Sequence, residues 1–358
     1  LKREYATLKH ELLPALEAVL ESTAFIRGPE VIRFNKRMEE LLGVKHHIGC
    51  ANGTDALKVA LMALGIGPGD EVITSPFTFV ATAEVIAFLG ATPVFIDIEA
   101  DSYLMDPELI EEAITPRTKA IIPVHLFGQM ADMKKINAIA QKHNLKVIED
   151  SAQAILASQN GILAGCSGDV GTISYFPSKN LGAYGDAGGL ITNDEELAKK
   201  IAMIANHGSK VRYEHHLIGV NSRLDSVQAA ILNVKAPYLS SWIKKRQQVA
   251  HWYEANLHPS IICPKTAPEN IHTYHQYTIR TSHRQELMRW LANAGIASAI
   301  YYPIPLDEQP GFKALSVSHH TENSRQACKE VLSLPVSPWI NEGEIVEICQ
   351  RINQFFKK

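Results

Sequence analysis

Lys179 stands between a β-branched and aromatic run, "GTISYF", and a loop rich in Gly, Asn and Asp, "NLGAYGDAGG". A lysine so placed can hold a phosphate, pair with a carboxylate, or attack a carbonyl carbon as a nucleophile. Two more polar residues close apolar runs: His125 ends "AIIPVH" and Asp150 ends "LKVIED". Parallel α/β sheets bind ligands beyond the carboxyl ends of their strands, so the three side chains are expected to face one crevice. Singly, each has an ordinary structural explanation, such as a helix N-cap for Asp150 or a hydrogen-bonded core histidine for His125. Together they point to chemistry.

Anion recognition narrows the choice. The chain has no GxxxxGK and no GxGxxG after a strand, which removes the signatures of P-loop and Rossmann nucleotide sites. Instead, "CANGTDAL" brings Gly53 and Thr54 to the first turn of an amphipathic helix, where free N–H groups and the helix dipole favour an anion. The plain alternative is a Thr54 or Asp55 helix cap. Ser174, on the strand before Lys179, can add a hydroxyl, and the set suits a monophosphate. GxSxG and HExxH are absent, and the histidine pairs 46/47, 215/216 and 319/320 lack ligand partners at useful spacing, so no metal site is expected. What remains is a lysine nucleophile, a carboxylate on a neighbouring strand end, a helix terminus for one phosphate, and the aromatics of "SPFTFVAT". That set matches the needs of pyridoxal 5'-phosphate: a lysine that bonds to the aldehyde, and an aspartate that keeps the pyridine nitrogen protonated so that the ring accepts electrons. An aromatic side chain can stack on the ring face.

The elements that must position these residues follow from hydrophobic periodicity. From about 50 to 195 the chain alternates helical and strand patterns: the helix "DALKVALMALG", the strand "EVITSP", a helix, "TPVFIDI", a helix around 107 to 114, "KAIIPVHLFG", a helix with Met133, Ile136, Ile139 and Ala140 on one face, and "LKVIED". Strands apolar on both faces and separated by helices predict a mostly parallel sheet covered on both sides. "SQNGILAG" holds an Asn160-Gly161 pair that predicts a tight turn between short strands. Beyond about 240 the pattern weakens into a smaller α/β unit, which gives a large domain over 1–240 and a small one over 241–358. Composition agrees, since 358 residues at 46% hydrophobic content can bury a large core. A net charge of -3 without a long basic block argues against nucleic acid as a partner. The N-terminal "LKREYATLKHELLPALEAVL" mixes charged and apolar residues at helical spacing, unlike a signal peptide or a membrane span. The five scattered cysteines fit free thiols in a reducing cytoplasm.

The motifs "ANGTDAL", "FTFVATAE", "ITPRTKAIIPVHLFGQMADM", "VIEDSAQA", "SYFPSKNLGAYGDAGG", "HGS", "GVNSRLDSVQAAIL" and "YYPIPL" resemble, in order, those of the DegT/DnrJ/EryC1 sugar aminotransferases. The resemblance implies the fold-type I aminotransferase architecture and a homodimer with active sites at the subunit interface. It implies that Lys179 bonds to the pyridoxal phosphate aldehyde and that Asp150 pairs with the ring nitrogen. Gln153 would lie near the ring hydroxyl, Phe79 against the ring, and Gly53, Thr54 and Ser174 around the phosphate, with Asn221 reaching that phosphate from the partner subunit. Because Lys179 is a lysine where some relatives carry histidine and deoxygenate, transamination is the expected reaction. Within the family, "GVNSRLD", "YYPIPL" and "QYTIR" look closest to enzymes that aminate UDP-2-acetamido-2-deoxy-3-oxo-glucuronate, with L-glutamate as donor, for surface polysaccharide. Arg223 and Tyr302 are then candidates for substrate binding, Arg223 through its bidentate fork; a structural salt bridge is the other reading of Arg223. A sister enzyme for a dTDP-3-keto or dTDP-4-keto deoxyhexose is the nearest alternative. A non-catalytic sensor of sugar or cofactor is a remote one.

Overall fold

In the computed structural model, which describes residues 1–357, the apolar runs become strands β1 (His46–Cys50), β2 (Glu71–Thr74), β3 (Thr92–Ile96), β4 (Thr118–Ile121), β5 (Lys146–Asp150), β6 (Val170–Ser174) and β7 (Gly188–Thr192), followed by β8 (Tyr277–Arg280), β9 (Val317–His319) and β10 (Val331–Leu334). Strands β1 to β7 and β9 form one eight-stranded sheet in the order β1-β7-β6-β5-β4-β2-β3-β9. Only β7 runs against the rest; it pairs antiparallel with β1 on one side and β6 on the other, while the run β6-β5-β4-β2-β3-β9 pairs in parallel. The chain steps from β2 to β3 in one direction and returns to β4 on the other side of β2. A crevice therefore opens at the carboxyl ends of β2 and β4, where neighbouring crossovers diverge.

Side-chain alternation explains why these strands are apolar on both faces. Ile73 and Ile121 enter a core shared with Met133, Ile136 and Ala140, whereas Val72, Ala120 and Ile122 enter the opposite core with Leu57, Ala60 and Leu61. Helices α1 (Lys2–Ser22), α2 (Pro29–Leu42), α3 (Gly53–Leu64) and α4 (Ala81–Phe88) lead the series, and the helices Met133–His143 and Glu195–Ile204 continue it. Helix α3 buries residues nearly all round, from Ala56 to Ala63, as expected for a helix enclosed between a sheet and other helices. The turn at Asn160-Gly161 has both residues at positive φ, 50° and 79°, which is the conformation favoured between two right-twisted strands.

The segment 107–114 departs from the expected α-helix. It forms two short 3₁₀ turns, Pro107–Leu109 and Glu111–Ala113. Its buried residues, Pro107, Ile110 and Ala113, recur every three positions, and three residues per turn keeps all of them on the core. Thr115 precedes Pro116, which disfavours continuation in the α region. A separate core, away from the two that flank the large sheet, gathers Val249, Tyr253, Tyr277, Leu287, Leu332 and Ile345 around the antiparallel pair β8–β10 and the helices Leu239–Asn256, Arg284–Asn293 and Glu342–Phe355. Strand β9, though late in the chain, extends the edge of the large sheet beside β3. No helix among the described residues is long and apolar enough to cross a membrane.

Candidate active site

The carboxyl ends of β2, β4, β5 and β6 open onto a cavity of about 900 Å³, lined by Gly53, Thr54, Phe79, Asp150, Gln153, Ser174, Lys179 and Tyr302 among others. Eight sequence-selected residues from five separate motifs therefore share one wall-to-wall space. Asn221 and Arg223 do not line it. Asn221 is exposed beside Asn206, and Arg223 is half-buried without a hydrogen bond or ion pair among the described residues.

His125 does not face the crevice. It is fully buried, with Nε2 2.7 Å from Glu149 Oε2 and Nδ1 accepting from the Ala131 N–H at 3.2 Å. Adjacent residues on a strand point to opposite faces, so Asp150 enters the cavity while Glu149 goes behind it. There Glu149 also accepts from the N–H groups of Gly165, Ser167 and Gly168 at 2.9, 2.6 and 2.6 Å. Truncating it would leave several buried donors unpaired. Glu149→Ala is expected to destabilise the fold by roughly 3–5 kcal/mol, read as a lowered urea midpoint; an unchanged midpoint would refute the structural role.

Asp150 is held from two sides. Its Oδ2 accepts from Thr82 Oγ1 at 2.8 Å and its Oδ1 from the Ala152 N–H at 3.2 Å, while Thr78 Oγ1 lies 3.2 Å from Thr82 Oγ1. Thr82 was missed in the sequence. Its only signal is the i, i+4 spacing from Thr78 in "TFVAT", which is also ordinary helix spacing. Gln153 accepts from the Phe127 N–H at 2.8 Å and donates to the Tyr302 hydroxyl at 3.1 Å. The rings of Phe79 and Tyr302 lie 6.4 Å apart, and Phe79 is 55% exposed, open for a planar ligand.

At the other end of the cavity, the cap of α3 is neither Thr54 nor Asp55. Asn52 caps the helix by accepting from the Asp55 N–H at 2.8 Å, and Asp55 pairs with Lys58 at 2.6 Å. Among the described residues the N–H groups of Gly53 and Thr54 have no hydrogen-bond partner, and the helix terminus they form lines the cavity. A Cβ at Gly53 would come within 2.8 Å of Ser174 Cβ, so glycine is what lets the helix end approach the Ser174 hydroxyl so closely. Backbone donors and hydroxyls at one end and a fixed carboxylate at the other fit the phosphate and ring nitrogen of pyridoxal phosphate.

Lys179 follows a turn closed by its own N–H to the Phe176 carbonyl at 2.8 Å. Burial lowers its pKa to about 8, and the nearby Asp150 carboxylate opposes that shift without cancelling it. A lowered pKa means that the neutral, nucleophilic amine forms as pH rises through about 8 rather than through the usual lysine range. The rate at which cofactor-free protein captures pyridoxal phosphate, followed by its visible absorption, is expected to rise through that pH and level off above it. A rate still climbing above pH 10 would overturn this. The structure also brings in residues that the sequence did not single out: His275, Tyr301 and Asp186 line the same cavity.

The DegT/DnrJ/EryC1/StrS aminotransferase family matches residues 6–353. The "Pleiotropic regulatory protein" of Geobacillus stearothermophilus is 48% identical over 100% of this chain and 97% of its own. The UDP-2-acetamido-2-deoxy-3-oxo-D-glucuronate aminotransferase of Pseudomonas aeruginosa is 47% identical over 98% of this chain and 97% of its own. Among solved structures, ntda from Bacillus subtilis with bound cofactor pmp is similar with a TM-score of 0.91 at 33% identity, over 98% of this chain and 82% of that one. With its family matched from end to end and its fold shared with a cofactor-loaded relative, the chain belongs to the DegT/DnrJ/EryC1/StrS aminotransferase family and is a pyridoxal-phosphate-dependent sugar aminotransferase.

Proposed function

We propose that the chain moves the amino group of L-glutamate onto UDP-2-acetamido-2-deoxy-3-oxo-glucuronate, in the cytoplasm, to supply a 3-amino sugar for surface polysaccharide. The observation that carries the transamination is the convergence of Lys179 and Asp150 on one cavity, where burial lowers the lysine pKa to about 8. The 47% likeness to the Pseudomonas enzyme supports the acceptor.

Pyridoxal phosphate supplies an aldehyde that takes up the amino group and a ring that accepts the electrons of the adjacent carbon. Lys179 would hold the cofactor through its aldehyde, and its amine, when free, would be the base that moves the substrate proton. Asp150, kept in place by Thr82, would keep a proton on the ring nitrogen. Gly53, Thr54 and Ser174 would hold the phosphate, Gln153 the ring hydroxyl, and Phe79 would cover a ring face. The division near residue 240 would leave these residues on the large domain and let the small one bring Tyr302 against them.

Lys179 is the only lysine or arginine on the cavity wall among the described residues, and it is committed to the cofactor. A sugar nucleotide carrying a diphosphate and a carboxylate needs further cations. We assign these to a second copy of the chain in a homodimer, with its Asn221 reaching the phosphate and its Arg223 reaching the substrate. An Arg223 without an ion pair among the described residues supports this reading over a structural salt bridge.

The test combines the two half-reactions. L-Glutamate should abolish the visible absorption of the cofactor-loaded protein, and the UDP-linked 3-oxo-uronate should restore it. Restoration by a dTDP-keto-deoxyhexose instead would move the enzyme to that acceptor class. A spectrum indifferent to glutamate would overturn the donor.

A further inference from the structure

Among the described residues, Lys235 is the only lysine that is fully buried. It closes the helix Ser226–Lys235, behind the loop that carries Lys179, and it does not line the cavity. Its Nζ lies 2.5 Å from Glu4 Oε1 of α1, donates to the Gly182 carbonyl at 2.6 Å, and sits 4.0 Å from the centre of the Tyr184 ring. Burial works against the Lys235 charge and the Glu4 carboxylate supports it. Lysine is almost never fully buried unless paired, and apolar side chains of similar volume often stabilise a fold as well as a buried ion pair does. Packing therefore leaves the choice of lysine unexplained. What the ammonium supplies and an apolar side chain does not is a donor for a backbone carbonyl three residues beyond Lys179.

The loop between β6 and β7 is folded so that this carbonyl bears on Lys179. Both of its arms are tied to Tyr175, whose carbonyl accepts from the Ala183 N–H and whose N–H donates to the Ala187 carbonyl, each at 2.8 Å. Gly182 lies against the turn that presents Lys179. A Cβ there would come within 2.5 Å of the Pro177 carbonyl oxygen and 2.9 Å of that of Phe176, the acceptor of the Lys179 N–H, so a shift of Gly182 moves that turn with it. The helix takes a second hold on the loop through Gln228 Oε1, which accepts from the Tyr184 N–H at 2.9 Å. Asn180 takes a third by donating to the Thr273 carbonyl at 3.1 Å. Lys179 and Asp186 line the cavity, whereas Gly182, Tyr184, Gln228 and Lys235 do not. The middle of the loop is thus held from outside the cavity while residues on either side of it face the reaction.

We propose that Lys235 is a positioning residue for Lys179: its ammonium, neutralised by Glu4, holds the Gly182 carbonyl and through it the turn from which Lys179 reaches the cavity. A hydrogen bond from a charged donor is stronger than a neutral one, and the Glu4 carboxylate and the Tyr184 ring keep the ammonium in place. Because Lys235 lies outside the cavity, it acts only through the loop. The proposal rests on the reading of Lys179 as the residue that bonds to the aldehyde.

Two full-length variants separate positioning from stability. Glu4→Gln removes the counter-charge and keeps the Lys235 contact to Gly182; Glu4→Leu combined with Lys235→Met removes both charges and fills the space with apolar groups. The Gln variant is expected to melt lower than wild type and to keep glutamate turnover within about twofold. The double variant should melt within a few degrees of wild type yet lose roughly 10- to 100-fold in turnover, at an unchanged KM for glutamate. Hydrogen exchange on the cofactor-free chains reads the loop without catalysis: the Ala183 and Tyr184 amides should exchange roughly 10- to 100-fold faster in the double variant and at about the wild-type rate in Glu4→Gln. Wild-type turnover and loop exchange in the double variant would overturn the proposal, as would turnover that simply follows melting temperature across the variants. If wild type itself does not turn over glutamate, the reading of Lys179 fails, whereas loop exchange still decides whether Lys235 holds Gly182.

Discussion

Lys179→Ala is expected to lower turnover with L-glutamate by at least about 10³-fold, because the substitution removes both the nucleophile and the proton-moving base. The fold should survive. Burial already works against the Lys179 charge, so losing the ammonium removes a desolvation cost, although it also leaves Asp150 without its nearby cation. Melting within a few degrees of wild type is therefore expected. A second readout separates loss of chemistry from loss of binding: borohydride reduction in the presence of pyridoxal phosphate should add mass to the wild-type chain and none to the variant. Residual turnover above about one part in a hundred would show that another residue moves the proton.

Asp150→Asn is the next largest expected effect, a loss of about 10²- to 10³-fold in turnover, on the scale found when one member of a buried, hydrogen-bonded charge pair is neutralised. Asn has nearly the same shape; its Oδ1 can still accept from the Ala152 N–H while its Nδ2–H donates to Thr82 Oγ1, so positioning is retained while the charge is lost. Capture of pyridoxal phosphate by Lys179 should continue, and removal of the α-proton of glutamate should slow, which exchange of an α-deuterium label can follow. Thr82→Val gives the complementary case: the charge stays and one hydrogen bond to it goes, for an expected loss of roughly tenfold. If Thr82→Val were as damaging as Asp150→Asn, the charge would not be the principal contribution of Asp150. Equal activity of Asp150→Asn and wild type would exclude a partnership with a ring-nitrogen proton.

Glu149 and Asp150 show how far local sequence carries. The strand and its end were legible in "LKVIED", and the structure places Asp150 at that end on the cavity wall. His125, with the same strand-end signature, lies behind the sheet because its backbone turns into the 3₁₀ segment Leu126–Gly128, and no local pattern announces the Glu149 partner that holds it. The 107–114 segment misled for a related reason. Its helical composition is real, but the three-residue spacing that selects a 3₁₀ turn becomes visible only against the core it must cover.

By itself the sequence determined the alternation of strands and helices, the mostly parallel sheet, the residues offered at the strand ends and the helix terminus for a phosphate. These follow from short-range periodicity and from the chemistry of single side chains. Tertiary structure alone decided which groups meet: Thr82 beneath Asp150 across 68 residues, Tyr302 on Gln153 across 149, and Asn180, next to Lys179, on the Thr273 carbonyl across 93. It also decided that Asn221 and Arg223 stand outside the cavity of their own chain. Contacts over such separations depend on how the crossovers pack and on which backbone groups remain unpaired, and neither is encoded within the span of one motif.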